Sequence, residues 1–459
     1  MTRVPRLCWL LLAMPFAYLA VVFWLQPPDH LGYYSDRAPR LGRLVYDDFD
    51  VAAYAVRGLN AHAGHTPGLD TEPADNLDEA LADPDWPAHQ RYYLEYPSAT
   101  LLLFRLGWDW QPDPDAPAAV YDARYHQIVN HLPRDDEERR LWTQFRRAGQ
   151  TYLVLMAVCC AALMAVLLAG YERGGGLAGG AFLLALPAAL YFGVNRFDVL
   201  PALLTALSLA CLGRRRVVAS AVLLAVAVMI KVYPALLAPL VVRYLWSNRR
   251  AALSWAAAFA ATAAALVLPP LLWWGWEPVW APYRYQLTRG AFPPTVYDYI
   301  LPESLGESDR RGQVFRLGTL ALTLFLLLVR RPADLASLLR RGALILILFV
   351  TLPVFYSPQW VLWLVPLLAP LARRHWPVLV LAVALDLVTY LTFPVVMEIP
   401  GNDPRFFLGD LRAPLQEVQT TLLSVVVYVR FAALGLLAVA LAWAEWRHGR
   451  CSRDPEGSA

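Results

Sequence analysis

The chain has 459 residues, of which 58% are hydrophobic and 17% charged, and its mean hydropathy is +0.40. An ordinary soluble domain stays near roughly 45–50% apolar, so this composition excludes a soluble globular enzyme and points to a polytopic membrane protein. The formal net charge of +3 is small, and the arginines fall in short clusters between apolar segments; this marks topology rather than a nucleic-acid surface. The cysteines (Cys8, Cys159, Cys160, Cys211 and Cys451) form no CxxC pair, so neither a disulfide framework nor a zinc site is expected.

In chain order, Met1 to Leu25 starts with Arg3 and Arg6 and continues as an apolar run that reads as a first transmembrane helix rather than a signal peptide, because no small-residue cleavage site follows. Residues 26–148 form a long, mostly polar loop, placed outside by that first helix. Within it, Tyr46 to Leu59 has helical apolar spacing and reads as an amphipathic interfacial helix. Gly64 to His89 is a solvated loop, Tyr92 to Trp110 a re-entrant or interfacial helix, and Asp113 to Arg147 a charged stretch of surface helices.

Apolar segments then follow at 149–170, 177–194, 198–212, 217–231, 234–247, 252–275, 314–329, 342–356, 360–372, 376–396 and 420–445. With the first helix they make about twelve. Arginines mark alternate junctions, at Arg173, Arg214 to Arg216, Arg249 with Arg250, Arg330 to Arg341, Arg373 with Arg374, and Arg447 with Arg450. By the positive-inside rule these junctions are cytoplasmic, as are both termini, and residues 447–459 form a short cytoplasmic tail. The expected fold is all-α, one membrane-embedded domain over residues 1–459.

That parity sends the unusual residues to the outer face. Lys231 is the sole lysine of the chain and stands inside an apolar run. An ionisable residue there costs about 3 kcal/mol at a helix centre by insertion scales, which marks it as functional. Arg196 and Asp198 share its face, with Tyr233, Arg289, Tyr356 and Gln359 in the other outward junctions. A carboxylate-rich helix, separated cations and many Trp and Tyr residues suit a site that receives a lipid phosphate from the bilayer and a sugar from water, with the cations on the phosphate.

The stretches Asp50, Tyr54 and Gly58-Leu59, Tyr93 to Ser98 (YLEYPS), Asn195 to Leu209 (NRFDVLPALLTALSL), Lys231 to Leu240 (KVYPALLAPL) and Ser357 to Leu368 (SPQWVLWLVPLL) resemble glycosyltransferase family 87. The resemblance covers residues 41–370, with residues 196–239 its most specific part. It departs from the family at Asn195 to Asp198, where a Gln is more usual, and at Glu95 before the Tyr-Pro pair. The resemblance implies a GT-C integral membrane enzyme of the cell membrane, active on its extracytoplasmic side. It would move a hexose, mannose by default, from a polyprenyl-phosphate sugar to a lipid or glycan acceptor. It also implies inverting transfer with a first-loop carboxylate as general base, Asp50 first and Asp48 next, worth about 10²–10⁴ in rate. Arg196, Asp198, Lys231, Tyr233, Arg289, Tyr356, Gln359, Glu95 and Arg430 are the substrate-binding candidates.

Plainer readings stand beside these. Asp47, Asp48 and Asp50 also suit the acidic first turn of a helix, or the oxygen ligands of a divalent cation, although no cofactor is expected. Arg196 with Asp198, and Asp386 with Arg430, suit structural ion pairs. His62 and His65 read as solvated loop residues. A polytopic transporter or lipid flippase is the alternative function, and no inverted repeat supports it.

Overall fold

The computed structural model describes residues 6–26, 48–62, 96–110, 136–171, 180–288, 310–353, 356–396 and 413–451. These are helical, with no strand among the described residues. Asp47, Glu95, His65, Arg173, Arg289, Gly64 to His89, the insertion from 111 to 135 and the tail beyond residue 451 lie outside them, as does the side chain of Asp48.

Helix α1 spans Arg6–Leu25. The first-loop region supplies α2 (Asp48–His62) and α3 (Ala99–Asp109), which pack on each other and on the upper part of α4 (Asp136–Ala169). Helix α2 packs into the protein: Val51, Ala52, Tyr54, Ala55, Val56 and Leu59 are all buried. Gly58 permits the close approach, since a methyl there would run into the Phe104 carbonyl of α3. Of the charged stretch from Asp113 to Arg147, the described residues 136–147 form the start of α4, 34 residues in one helix. At 1.5 Å per residue it is about 51 Å long, so it extends well beyond a roughly 30 Å hydrocarbon core.

Next come α5 (Pro187–Asn195), α6 (Val199–Gly213) and α7 (Val217–Ile230). Helices α5 and α6 are bent by 106° at the break that holds Arg196, Phe197 and Asp198. Helices α6 and α7 form an antiparallel hairpin around the arginine turn 214–216. The turn packs on the C-terminal end of α4, where Arg214 Nη2 donates to the Gly170 carbonyl at 3.1 Å. Asp198 and Lys231 therefore meet at the hairpin's other end, about 22 Å away by helix rise. A 3₁₀ turn (Tyr233–Leu237) leads into α8 (Ala238–Leu245), followed by α9 (Arg249–Trp274), α10 (Trp276–Thr288) and α11 (Arg310–Val329). The core closes with α12 (Leu335–Thr351), α13 (Val361–Ala372), α14 (Trp376–Tyr390) and α15 (Ala413–Cys451). Helix α13 is central, buried along almost its whole length against α5, α6, α12 and α14.

Six helices among the described residues are long and apolar enough to cross a membrane, or up to seven if α5 and α6 count as one bent span. The chain is an all-helical polytopic membrane protein. Helices α6, α7 and α13, with 15, 14 and 12 residues, are shorter than the roughly 20 residues a bilayer requires.

Two expectations are corrected here. Arg340 and Arg341 are not in a loop: Asp334 caps α12 by accepting from Ser337 N at 2.7 Å, and both arginines lie inside that helix, buried, on the Glu445 carboxylate of α15 at 2.8 and 2.7 Å. Asp386 does not pair with Arg430. Its carboxylate accepts from the backbone N–H of Ala188 and Ala189 at 3.0 and 2.8 Å, which satisfies two amides at the buried N-terminus of α5.

Candidate functional site

The break between α5 and α6 aims two charges in different directions. Arg196 caps α5 in extended backbone, and its guanidinium meets Asp50 of α2. Asp198 occupies the N-cap position of α6 but makes no capping bond. Asp side chains ordinarily accept from the first-turn amides there; this one is committed elsewhere. It receives the Lys231 ammonium at 2.8 Å and the Trp363 indole N–H at 2.7 Å. The anticipated Arg196–Asp198 pair is thus replaced by two pairs that draw in α2, α7 and α13.

Lys231 ends α7 in extended backbone, with Pro234 soon after preventing continuation of that helix. Its ammonium lies in an aromatic box, 4.7 Å from the Phe197 ring centroid, 5.0 Å from Tyr96 and 5.6 Å from Trp363. Such cation–ring contacts are worth about 2 kcal/mol when desolvated. The Tyr233 ring stacks on Trp363 at 4.2 Å and 6°. A buried hydrogen bond from Thr100 Oγ1 to the Ile230 carbonyl, 2.9 Å, pins the start of α3 to the end of α7. It satisfies a carbonyl that the helix end leaves open.

Helix α2 completes the cluster. Tyr54 stacks on Phe104 at 4.9 Å and meets Tyr152 and Phe197 at 4.9 and 5.7 Å. Its buried hydroxyl has no hydrogen-bond partner among the described residues. Burial, with the nearby tyrosines and Asp198, pushes this hydroxyl well above its ordinary pKa, so it stays protonated. Arg57, three residues on, lies 5.5 Å from the Tyr96 ring. Among the described residues, Arg196 pairs with Asp50 and Lys231 with Asp198, and Arg57 stands on the Tyr96 ring that also faces Lys231. Exposure divides the roles. Asp198 is fully buried, whereas Asp50, Arg196 and Lys231 retain 15, 18 and 12% of side-chain exposure.

A ladder of rings continues from this box. Trp363 is 5.0 Å from Trp360, which is 5.6 Å from Tyr356. The Arg430 guanidinium of α15 lies 3.9 Å from the Tyr356 ring centroid and 5.7 Å from Phe393. Gln359 is buried beside them, its Oε1 without a hydrogen-bond partner among the described residues. Of the sequence candidates, Asp50, Arg196, Asp198, Lys231, Tyr233, Tyr356 and Arg430 therefore belong to one chain of contacts, and Gln359 is buried next to Trp360 in sequence. Glu95, Arg289 and the Asp48 side chain lie outside the described residues. His62 is not simply solvated: its Nδ1 is 2.7 Å from Asp109, which Arg105 also contacts at 3.0 Å.

Sequence reasoning missed Arg57 as a site cation and Trp363 as a ligand of Asp198. Arg57 stands at i+3 from Tyr54 and i+7 from Asp50, and that helical spacing is the signal that places it on their face. Trp363 is one of 17 tryptophans, and nothing in its apolar run distinguishes it. Compared with protein-family models and with curated proteins, the chain matches none.

Proposed function

We propose that this protein is an integral membrane glycosyltransferase of the GT-C type. In this reading it crosses the cell membrane about twelve times and moves a hexose, mannose by default, from a polyprenyl-phosphate sugar to a lipid or glycan acceptor on the extracytoplasmic side. The observation that carries the reading is the convergence of Asp50 of α2, Arg196 and Asp198 of the α5–α6 break, and Lys231 at the end of α7, at the end of the α6–α7 hairpin away from its arginine turn. The resemblance to glycosyltransferase family 87 in those same stretches supports it.

Asp50 is the general base. It takes the proton of the acceptor hydroxyl, and the acceptor oxygen bonds to the anomeric carbon. The carbon–oxygen bond to the lipid phosphate breaks on the opposite face, and its electron pair leaves with the polyprenyl phosphate. Arg196 orients Asp50 and, with Lys231 and Arg57, stabilises the negative charge that grows on the phosphate. Asp198 keeps Lys231 charged and aimed. The buried rings of Tyr96, Phe197 and Trp363 hold the Lys231 ammonium in place.

The test is transfer of radiolabelled mannose from polyprenyl-phosphate mannose into lipid in reconstituted membranes. Wild type transfers label; Asp50→Ala and Lys231→Ala abolish transfer at normal expression. Full activity in Asp50→Ala removes Asp50 as the base. The broken α5–α6 helix is of the kind transporters use. Movement of a lipid across vesicles, with no transfer from any donor sugar, replaces the enzyme by a flippase.

A further inference from the structure

The other end of the bundle holds a second feature that the proposed chemistry does not use. A cavity of about 1120 Å³ opens between the C-terminal end of α4, the start of α12, the α13–α14 turn and α15. Among the described residues four arginines line it (Arg340, Arg373, Arg374 and Arg447), against one lining carboxylate, Asp334. Asp334 is itself engaged by His448 at 3.0 Å.

The deepest cation is the informative one. Arg340 is 3% exposed and gives its Nε–H to Glu445 at 2.8 Å, but Glu445 is shared with Arg341 at 2.7 Å. One carboxylate therefore serves two buried guanidiniums, and Arg340 Nη2 is buried without a hydrogen-bond partner among the described residues. An unmatched buried guanidinium is expensive unless an anion completes it. His375, at the head of α14, reports the same potential: partial burial and the adjacent Arg340 and Arg374 hold it below the usual histidine range.

The side walls are apolar and face outward. Trp376 and Val380 of α14 and Leu436, Val439 and Trp443 of α15 line the cavity while remaining 50% exposed or more. In a membrane-spanning bundle those side chains meet acyl chains, so the cavity has a hydrocarbon entrance beside its cationic floor.

We propose that this cavity binds an anionic phospholipid, its phosphate held by Arg340 with Arg374 and Arg447 at the mouth, and an acyl chain against Leu436, Val439 and Trp376. Arginine offers a phosphate paired N–H donors, and basic pockets between transmembrane helices are recurrent lipid-headgroup sites. The lateral apolar opening selects a lipid over a free anion. This site stands independently of the sugar-transfer reading, since it lies at the arginine-turn end of the α6–α7 hairpin.

Native mass spectrometry of the purified full chain, exchanged into detergent with equal phosphatidylglycerol and phosphatidylcholine, tests the assignment. Wild type is expected to retain one phosphatidylglycerol at least tenfold over phosphatidylcholine. Arg374→Glu with Arg447→Glu, both at exposed positions that do not threaten folding, is expected to lose that preference while its thermal unfolding stays within a degree or two of wild type. Arg340→Ala serves as a second variant where it folds, and is expected to lose retention as well. Equal retention of the two lipids by wild type, or unchanged preference in the double variant, overturns the proposal. Inorganic phosphate that competes as well as phosphatidylglycerol also overturns it, because the occupant is then a soluble anion.

Discussion

Replacing Asp198 by Asn isolates the physical basis of the site. Asp198 is fully buried, and its two bonds hold Lys231 and the Trp363 indole. The Asn side chain keeps the shape and one acceptor for Trp363 but removes the carboxylate charge that Lys231 pairs with among the described residues. Breaking a buried pair by removing one partner costs about 3–5 kcal/mol. The aromatic box retains about 1–2 kcal/mol of cation–ring attraction, so we expect a net loss of about 3 kcal/mol. Lys231→Met strands the carboxylate instead, with a similar loss. Because each single variant leaves one uncompensated charge and the double variant leaves none, Asp198→Asn with Lys231→Met recovers about 2 kcal/mol relative to the sum of the singles. Thermal unfolding in detergent micelles, followed by tryptophan fluorescence, reads this as a single-variant fall of roughly 3–6 °C, partly restored in the double variant. Strict additivity would refute the reasoning, since it means the two charges are not coupled. The double variant also separates structure from chemistry: it is expected to fold and to be inactive in sugar transfer.

Tyr54→Phe removes a buried hydroxyl that has no protein partner among the described residues. Stability is expected to hold or rise by about 0.5–1 kcal/mol, while transfer activity falls if that hydroxyl meets substrate; unfolding midpoints and initial rates check the two halves separately. Asp386→Ala uncaps the buried amides of Ala188 and Ala189, with an expected loss of about 1–3 kcal/mol in the same unfolding assay; Asp386→Asn retains one acceptor and loses less. Gly58→Ala drives α2 off the Phe104 carbonyl of α3. It is expected to cost about 1–3 kcal/mol by overpacking and to lower transfer activity, because Asp50 travels with α2; a variant that melts and transfers like wild type contradicts the packing described.

Helical periodicity, proline and glycine breaks and the arginine clusters were enough to locate the elements. Each apolar segment anticipated from 149 to 445 overlaps helical structure among the described residues. The turn at Arg214 to Arg216 was enough to bring Asp198 and Lys231 to a common end, because a helical hairpin has two ends and the arginines occupy one. The one lysine in an apolar run called for a counter-charge, and Asp198 supplies it.

Which charge meets which was not legible. Arg196 and Asp198 are two residues apart, yet the bend between α5 and α6 turns one toward Asp50 and the other toward Lys231 and Trp363. Asp386 turns to the amides of α5 rather than to Arg430. Arg340 and Arg341, which pattern as a loop cluster, are buried because Glu445 comes from the last helix to meet them. Sequence periodicity determines the face and the end of a helix on which a residue stands, since both follow from local backbone geometry. Partner choice depends on side-chain direction and on which distant helix fills the space opposite, and only the packed structure supplies that.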